Sequence, residues 1–329
     1  MRQRRLGNTG TFVSELALGA MTFGREIDAA ASAEILGGYL DAGGNFVDTA
    51  DVYGAGASEE ILGEILGARR ADIVLATKCG LPFGDGANLT GASRRHICAS
   101  IEGSLRRLRT DWIDLYQIHM WDPSTPAEET MSALDDLVRR GLVRYVGVSN
   151  YAAWQLATAI GASALHGWTP LVSLQPEYSL IARDVELELI PLCVHAGLGV
   201  IPWSPLGGGV LSGKYARDAP PPPGTRAGER VSTRDRLRGN RLDVVDAVRE
   251  VAHETGHSAA QVALNWLLDR PGVTAPLVGV RTPEQLRDNL AATGWALEPD
   301  HVARLDAVSR PYVGYPHNFQ ISAGRRADL

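Results

Sequence analysis

Short apolar runs alternate with longer segments of helical period along nearly the whole chain, and this alternation constrains the fold more than any other feature. The runs are rich in Val, Ile and Leu, as strands buried on both faces are, whereas the segments between them repeat apolar residues every three or four positions. We predict strands at residues 16–19, 45–48, 73–76, 115–119, 143–148, 171–175, 199–203 and 274–278. The predicted helices lie at residues 30–42, 58–66, 93–108, 127–140, 154–160, 185–196, 244–255, 259–269, 283–291 and 300–308.

An unbroken series of β/α units predicts an α/β fold of the closed (β/α)8 type, a TIM barrel, with residues 1–329 as a single domain. The alternative is a doubly wound open sheet, which usually has a Gly-x-Gly-x-x-Gly turn after its first strand. In this chain Gly19 is followed by Ala-Met-Thr-Phe-Gly, which lacks that pattern. The sequence therefore favours the barrel.

Two segments lie outside the alternation. Residues 4–6 and 12–13 flank the turn-forming sequence Gly-Asn-Thr-Gly and predict a β-hairpin that could close the bottom of a barrel. Residues 216–240 contain four consecutive prolines, many charges and little apolar period, which predicts a long flexible loop after the seventh strand. A loop in that position would lie on the catalytic face of a barrel.

Charge and cysteine content exclude several functional classes. Lys and Arg number 32 against 38 Asp and Glu, a net charge of −6, so we expect no nucleic-acid partner, because nucleic-acid-binding proteins are usually basic. The three cysteines form no Cys-x-x-Cys pair, which points to a reducing cytoplasm. The chain has neither an apolar run of about 18 residues nor a signal-peptide core, so we expect a cytoplasmic protein without a membrane partner. We predict no metal site.

Polar residues end three consecutive predicted strands, where the catalytic groups of a barrel usually lie. Asp48 ends the second strand, Lys78 follows the third and His119 ends the fourth, while Tyr53 lies in the loop after the second strand. An ammonium group lowers the pKa of a nearby tyrosine, and a carboxylate can hold that ammonium in place. A neutral imidazole can orient a substrate carbonyl. The four residues therefore predict a site for proton transfer to a carbonyl oxygen.

Several motifs resemble the aldo-keto reductase family, in which Asp, Tyr, Lys and His form a catalytic tetrad. The sequences Asp-Thr-Ala-Asp-Val-Tyr at 48–53, Thr-Lys at 77–78 and Gln-Ile-His at 117–119 match that tetrad in type, order and approximate spacing. Residues 18–24, 147–150 and 203–209 are similar to other family motifs, and the resemblance extends from about Arg4 to Val308. Within that family the chain resembles the bacterial branch related to potassium-channel β subunits. Trp203 indicates this branch, because aldose reductases tend to have Tyr at the corresponding position. The resemblance implies that Asp48, Tyr53, Lys78 and His119 are catalytic.

The resemblance also implies that NADPH or NADP+ binds across the barrel mouth, without a Rossmann fold, and that residues 216–240 cover it. Ser149, Asn150 and Gln175 would bond the nicotinamide carboxamide, and Trp203 would stack on the ring. Ser204, Leu206, Gly208, Lys214 and Arg226 would line the pyrophosphate. Gly279, Arg281, Gln285, Asp288 and Asn289 would bind the adenosine end, and Ala20, Met21 and Asp48 complete the predicted site. NADPH is favoured over NADH because Arg281 can pair with a 2′-phosphate.

The predicted function is NADP-dependent reduction of an aldehyde or ketone to an alcohol by hydride transfer, with Tyr53 as general acid. A small-molecule carbonyl compound would be the substrate, and Phe23, Phe83 and Trp121 would form an aromatic wall of its pocket. Two alternatives stay open: a cofactor-binding regulatory or interaction subunit of the channel-β type, and a keto-sugar reductase of a natural-product pathway. A Schiff-base lyase or isomerase built on Lys78 is disfavoured by the other tetrad residues.

Overall fold

In the described part of the chain, eight parallel strands pair in the order of the predicted series. The structure is a computed structural model that describes residues 1–217, 220–229, 231–237, 239 and 241–323. A hairpin of β1 (Gln3–Arg5) and β2 (Phe12–Ser14) precedes the sheet. The parallel strands are β3 (Ala17–Gly19), β4 (Phe46–Asp48), β5 (Val74–Cys79), β6 (Ile113–Ile118), β7 (Val143–Ser149), β8 (Leu171–Gln175), β9 (Gly199–Val200) and β10 (Leu277–Val278). From β4 to β9 each strand pairs with the strand before it, and β10 pairs with β3.

Hydrogen bonds between the two ends of the sheet close it into a barrel. Val200 of β9 forms a parallel bridge with Val273. The Val200 N–H donates to the Gly272 carbonyl at 2.9 Å, and the Thr274 N–H donates to the Val200 carbonyl at 2.8 Å. The Leu277 N–H of β10 donates to the Pro202 carbonyl at 2.8 Å. These contacts confirm the predicted (β/α)8 barrel.

Helices connect the strands and cover the outside of the barrel. In the described residues they are α1 (Ala29–Asp41), α2 (Ala57–Leu66), α3 (Arg94–Arg107), α4 (Ala127–Arg139), α5 (Ala153–His166), α6 (Leu189–Ala196), α7 (Arg226–Glu229), α8 (Val231–Asp235), α9 (Arg241–Thr255), α10 (Ala259–Leu268), α11 (Pro283–Leu290), α12 (Pro299–Val308) and α13 (His317–Ser322). None of the helices described here has both the length and the apolar character needed to cross a bilayer.

Prolines make the last two strands shorter than the sequence pattern predicted. The expected strands covered residues 199–203 and 274–278, whereas β9 and β10 contain two residues each. Pro202 and Pro276 have no N–H to donate to a ladder, so regular pairing cannot continue through them. Their carbonyls still accept hydrogen bonds from Leu277 and Ala17, which keeps the barrel closed.

Two helices also differ from the prediction at their ends. Helix α5 was expected at residues 154–160, but it continues through Gly161 and ends at His166, where the next residue, Gly167, has a φ of 65°. Helix α6 was expected to begin at Val185 but begins at Leu189. Pro191 gives the reason, because its ring clashes with the carbonyl four residues earlier unless it lies in the first turn of a helix.

The segment after β9 contains more regular structure than a long loop. Helices α7 and α8 lie within residues 216–240, and Ala227 has no exposed surface. The Arg236 guanidinium forms an ion pair with Glu177, which follows β8. Residues 218, 219, 230, 238 and 240 of the predicted flexible loop lie outside the described residues. The described part therefore packs onto the barrel.

The barrel interior has an apolar lower layer and a polar upper layer. Leu6 and Val13 of the hairpin region pack with barrel residues Phe46, Ala76 and Leu115, so the hairpin closes the bottom of the barrel. Successive residues of a strand face opposite sides of the sheet, so the residue two positions after each of these barrel residues also points into the barrel. Polar residues occupy those upper positions in β4, β5 and β6: Asp48, Lys78 and Gln117.

Candidate active site

Asp48 and Lys78 form a buried ion pair at the top of neighbouring strands. Lys78 has no exposed surface and Asp48 is 2% exposed. The Lys78 Nζ donates to Asp48 Oδ1 and, at 2.7 Å, to the Thr49 carbonyl. Burial alone would lower the pKa of Lys78, but Asp48 and Tyr53 oppose that effect and the net pKa is raised. Lys78 is therefore an ammonium group held beneath the floor of the site.

Two glutamine side chains hold the other oxygen of Asp48. Gln175 Nε2 donates to Asp48 Oδ2 at 2.9 Å, and Gln117 Nε2 donates to the same oxygen at 3.2 Å. The carboxylate thus accepts hydrogen bonds on both oxygens, which compensates for its removal from water. Gln117 was not predicted as a site residue. Its position two residues before His119 on the same strand is the sequence signal that could have found it.

Tyr53 lies above Lys78 on an irregular turn. The turn requires left-handed backbone at Gly54, Ala55 and Gly56, with φ values of 60°, 55° and 100°. Lys78 Nζ is 5.0 Å from the centre of the Tyr53 ring. Burial raises the pKa of Tyr53 more than Lys78 lowers it, so the net shift is upward. Lys78 lowers this pKa as expected, but burial of the phenol outweighs that effect, and the sequence did not show how deeply the phenol is buried.

His119 faces Tyr53 across the site. The two rings meet edge to face with centroids 5.7 Å apart. Burial and the Lys78 ammonium lower the pKa of His119 to about 3, so the imidazole is neutral at physiological pH. The His119 Nδ1 atom is buried and has no hydrogen-bond partner among the described residues. A neutral imidazole beside a protonated phenol gives the site two groups that can bind one carbonyl oxygen.

A cavity of about 620 Å³ extends from the tetrad along the barrel mouth. Tyr53 and His119 line it, while Lys78 lies below its floor. Every residue predicted to bind cofactor lines this cavity except Ala20, which has no exposed surface. Those lining residues are Met21, Asp48, Ser149, Asn150, Gln175, Trp203, Ser204, Leu206, Gly208, Lys214, Arg226, Gly279, Arg281, Gln285, Asp288 and Asn289. The structure thus brings the predicted cofactor residues to one continuous surface.

Trp203 and Asn150 form a fixed polar and aromatic platform near the tetrad. The Trp203 indole N–H donates to Asn150 Oδ1 at 3.0 Å, and Asn150 Nδ2 donates to the His119 carbonyl at 2.9 Å. Asn150 and Ser204 both have positive φ values, 55° and 54°. Such strained backbone tends to persist where the surroundings hold a functional group in place. A flat ring could stack on the indole and keep its edge near Asn150.

The middle of the cavity combines a glycine turn with a cationic side chain. Gly207, Gly208 and Gly209 have consecutive positive φ values of 59°, 70° and 93°. A Cβ added at Gly209 would lie 3.0 Å from the Lys214 Nζ, so a side chain would fill the space in front of that ammonium. Among the described residues Lys214 forms no ion pair with a carboxylate. This turn therefore fits an anionic group such as a diphosphate.

The far end of the cavity lies at the N-terminus of α11. Thr282 caps the helix by accepting a hydrogen bond from the Gln285 N–H at 3.3 Å, and Gln285 Oε1 accepts from the Arg281 N–H at 2.9 Å. Asp288 accepts a hydrogen bond from Gln261 of α10 at 2.7 Å. A helix N-terminus with an arginine beside it favours a bound anion. The observed geometry is thus compatible with a phosphate at this end.

Glu26 is a further residue at the cavity rim that the sequence did not single out. It lies between β3 and α1, and its side chain is 13% exposed. Its carboxylate is 3.4 Å from the Arg226 guanidinium and 3.7 Å from that of Arg281. Glu26 therefore connects the segment after β9 to the predicted adenosine site. No local motif marks it, because both partners lie about 200 or more residues away in the sequence.

The three aromatic residues predicted for the substrate pocket do not line the cavity. Phe23 has no exposed surface. Phe83 lies against the Arg107 guanidinium, which is 5.0 Å from its ring centre. Trp121 packs edge to face on Tyr151 and Trp154, at centroid distances of 5.1 and 5.6 Å. The substrate role of all three stays a prediction.

The structure brings Asp48, Tyr53, Lys78 and His119 together at the mouth of a (β/α)8 barrel. The chain belongs to the aldo/keto reductase family, whose model matches residues 15–310. It is 40% identical to an oxidoreductase named YrpG of Bacillus subtilis (strain 168) over 319 residues, which cover 94% of this chain and 96% of that protein.

Two further relatives have names that indicate different roles. The chain is 38% identical to a "Probable voltage-gated potassium channel subunit beta" of Oryza sativa subsp. japonica, over 94% of this chain and 96% of that protein. It is 34% identical to an aryl-alcohol dehydrogenase [NADP(+)] of Phanerodontia chrysosporium, over 96% of this chain and 88% of that protein. The predicted family and its branch are confirmed by these matches.

Proposed function

We propose that this protein uses NADPH to reduce an aldehyde or a ketone to an alcohol, with Tyr53 as the general acid. The observation that carries the proposal is the position of Tyr53 and His119 on the wall of a cavity that Asp48 also lines, with Lys78 paired to Asp48 below it. Family membership supports carbonyl reduction as the reaction class. The site geometry supports NADPH as the cofactor and Tyr53 as the acid.

The tetrad residues can each contribute to one proton transfer. Bound NADPH would supply a hydride to the carbonyl carbon. The Tyr53 hydroxyl is protonated at neutral pH, because burial keeps its pKa above the ordinary value, so it can give a proton to the developing alkoxide. The Lys78 ammonium stabilises the phenolate that remains, and Asp48 holds that ammonium in place. The neutral imidazole of His119 can donate a hydrogen bond to the same oxygen.

Three cationic side chains support a phosphorylated dinucleotide as the cofactor. Lys214, Arg226 and Arg281 line the cavity from its middle to its far end. Arginine matches phosphate geometry well and stays charged, so Arg281 is suited to a 2′-phosphate that NADH lacks. One relative carries NADP(+) in its name. We therefore propose a preference for NADPH over NADH.

Absorbance at 340 nm tests the proposed function directly. The protein would be mixed with NADPH or NADH and a panel of aromatic aldehydes, aliphatic aldehydes, ketones and nucleotide-linked keto-sugars. NADPH-dependent loss of absorbance with at least one carbonyl compound supports reduction. Tight NADPH binding without turnover on the whole panel would contradict it.

A cofactor-binding regulatory subunit is the second candidate function. The observation that favours it is the similarity to a protein named as a potassium-channel β subunit. An intact tetrad is compatible with both candidates, because such a subunit would also bind the dinucleotide. Binding of NADPH without turnover in the experiment above would favour this second candidate.

A further inference from the structure

A buried carboxyl group lies beside the tetrad, among residues of α2, β5 and β6, and has no role in the chemistry described above. Asp51, two residues before Tyr53, is 1% exposed. Neither of its carboxylate oxygens has a hydrogen-bond partner of good geometry among the described residues. Its own N–H donates to the Lys78 carbonyl at 3.1 Å, which fixes its backbone against the base of the site. A buried carboxylate without donors is costly.

The charged groups around Asp51 already have other partners. Glu59 of α2 has no exposed surface and accepts hydrogen bonds from Arg107 Nε at 2.7 Å and from Thr77 Oγ1 at 2.6 Å. Lys78 is bound to Asp48. Three carboxyl groups, Asp48, Asp51 and Glu59, therefore face two cations, and each cation is bound to one of the other two carboxylates. Asp51 is the carboxyl group without a counter-ion.

Uncharged but titratable groups complete the surroundings of Asp51. A negative charge on Asp51 raises the pKa of three neighbouring groups: Cys79 of β5, Tyr116 of β6 and Tyr53. None of these groups supplies positive charge. The cluster would be neutral with a proton on Asp51 and would carry one excess negative charge without it.

We propose that Asp51 is a positioning residue of the tetrad: it is a buried carboxyl group without a counter-ion, and the negative charge that it gains on losing its proton makes Tyr53 hold its own proton more tightly. Burial, with Glu59 as a second cause, raises the pKa of Asp51 to about 7. Asp51 thus changes charge within the physiological pH range. This inference rests on the proposed role of Tyr53, but the proton on Asp51 can be measured without any turnover.

The pH dependence of stability tests the proton on Asp51. A carboxyl with an unfolded pKa of about 3.9 and a folded pKa of about 7 binds more protons in the folded state between these values. Folding stability therefore falls as pH rises from about 4 to above 7. In Asp51→Asn this loss is absent. The free energy of unfolding of the variant minus that of the native protein should therefore increase as pH rises from 5 to 8. A difference that stays constant over that range would overturn the inference.

Two further variants keep the stability test decisive. Asp51→Leu has a similar shape and cannot ionise, so it replaces Asp51→Asn if the unpaired amide prevents folding. Asp114→Asn is the matched control, because Asp114 accepts hydrogen bonds from the Leu75 N–H at 3.0 Å and forms an ion pair with Arg70 at 2.8 Å. Removing that partnered carboxylate should lower stability at neutral pH, whereas removing Asp51 should raise it. The same sign in both variants would contradict the inference.

The pH profile of alcohol oxidation tests the effect on Tyr53. Alcohol oxidation requires deprotonated Tyr53. The rate of oxidation therefore rises with pH, and the midpoint of this rising limb reports the pKa of Tyr53. Without the Asp51 charge the limb should move to lower pH by roughly 0.5–1 unit, as expected for loss of one partly screened charge. A change in rate with an unmoved midpoint would indicate a structural role and would overturn the inference. Absence of all turnover would refute the proposed function, while the stability measurements would still test the proton on Asp51.

Discussion

Replacing Lys78 by methionine should destabilise the protein strongly, because the substitution leaves the Asp48 carboxylate buried without its counter-ion. Asp48 is 2% exposed, and only the two glutamine amides would still donate to it. Removing one partner of a buried ion pair typically costs about 3–5 kcal/mol. Because two hydrogen bonds to Asp48 remain, we expect Lys78→Met to lower the free energy of unfolding by about 3 kcal/mol, near the lower end of this range. Asp48→Asn should cost a similar amount, since Lys78 would then have only uncharged acceptors, among them the Thr49 carbonyl, and no counter-ion.

A double-mutant cycle distinguishes the ion pair from general damage to the core. Asp48→Asn with Lys78→Met removes both charges of the pair, so the double variant should be at least about 2 kcal/mol more stable than the sum of the single effects predicts. The free energy of unfolding would be measured by urea titration followed through tryptophan fluorescence. Arg94→Met is the matched control, because its ion pair with Asp136 is about half exposed and should be worth less than about 1 kcal/mol. Additive effects at Asp48 and Lys78 would refute the reasoning.

Three further predictions concern the cofactor. Arg281→Ala should reduce the preference for NADPH over NADH by about 1.5–3 kcal/mol, the range for a charge-assisted hydrogen bond, as measured by nicotinamide fluorescence; an unchanged preference would exclude Arg281. Glu26→Gln should tighten NADPH binding roughly threefold to tenfold, because Glu26 competes for Arg226 and Arg281 with a pair energy of about 1 kcal/mol; weaker binding would show that Glu26 helps to retain the cofactor. NADPH should slow limited proteolysis within residues 216–240, and equal cleavage with and without it would indicate a simple linker.

The tetrad could be located from the sequence because it depends on regular geometry. Residues that end consecutive parallel strands meet at one rim, so Asp48, Lys78 and His119 had to be neighbours once the barrel was inferred. The same argument extends to Gln117, which the strand period places on the interior face two residues before His119. A fuller use of that period would have added Gln117 to the predicted site.

Other features depend on long-range contacts that no local pattern contains. Glu26 meets Arg226 and Arg281 across an irregular rim, so its position follows from the whole fold. The direction of the pKa shift of Tyr53 depends on the balance between burial and the Lys78 charge, and the depth of burial cannot be read from a motif. The excess carboxyl at Asp51 became evident only when the partners of Glu59 and Lys78 were known.

Turnover by Tyr53→Phe tests the central claim most directly. The variant keeps the aromatic ring and removes the only group proposed to deliver the proton, so NADPH affinity should be unchanged while kcat falls about 100- to 10,000-fold. Tyr145→Phe is the matched control, because it removes a tyrosine hydroxyl that bonds Thr11 of the hairpin region, away from the cavity, at 3.0 Å, and it should keep native kcat. A Tyr53→Phe protein with near-native kcat and unchanged NADPH binding would contradict the assignment of Tyr53 as the general acid.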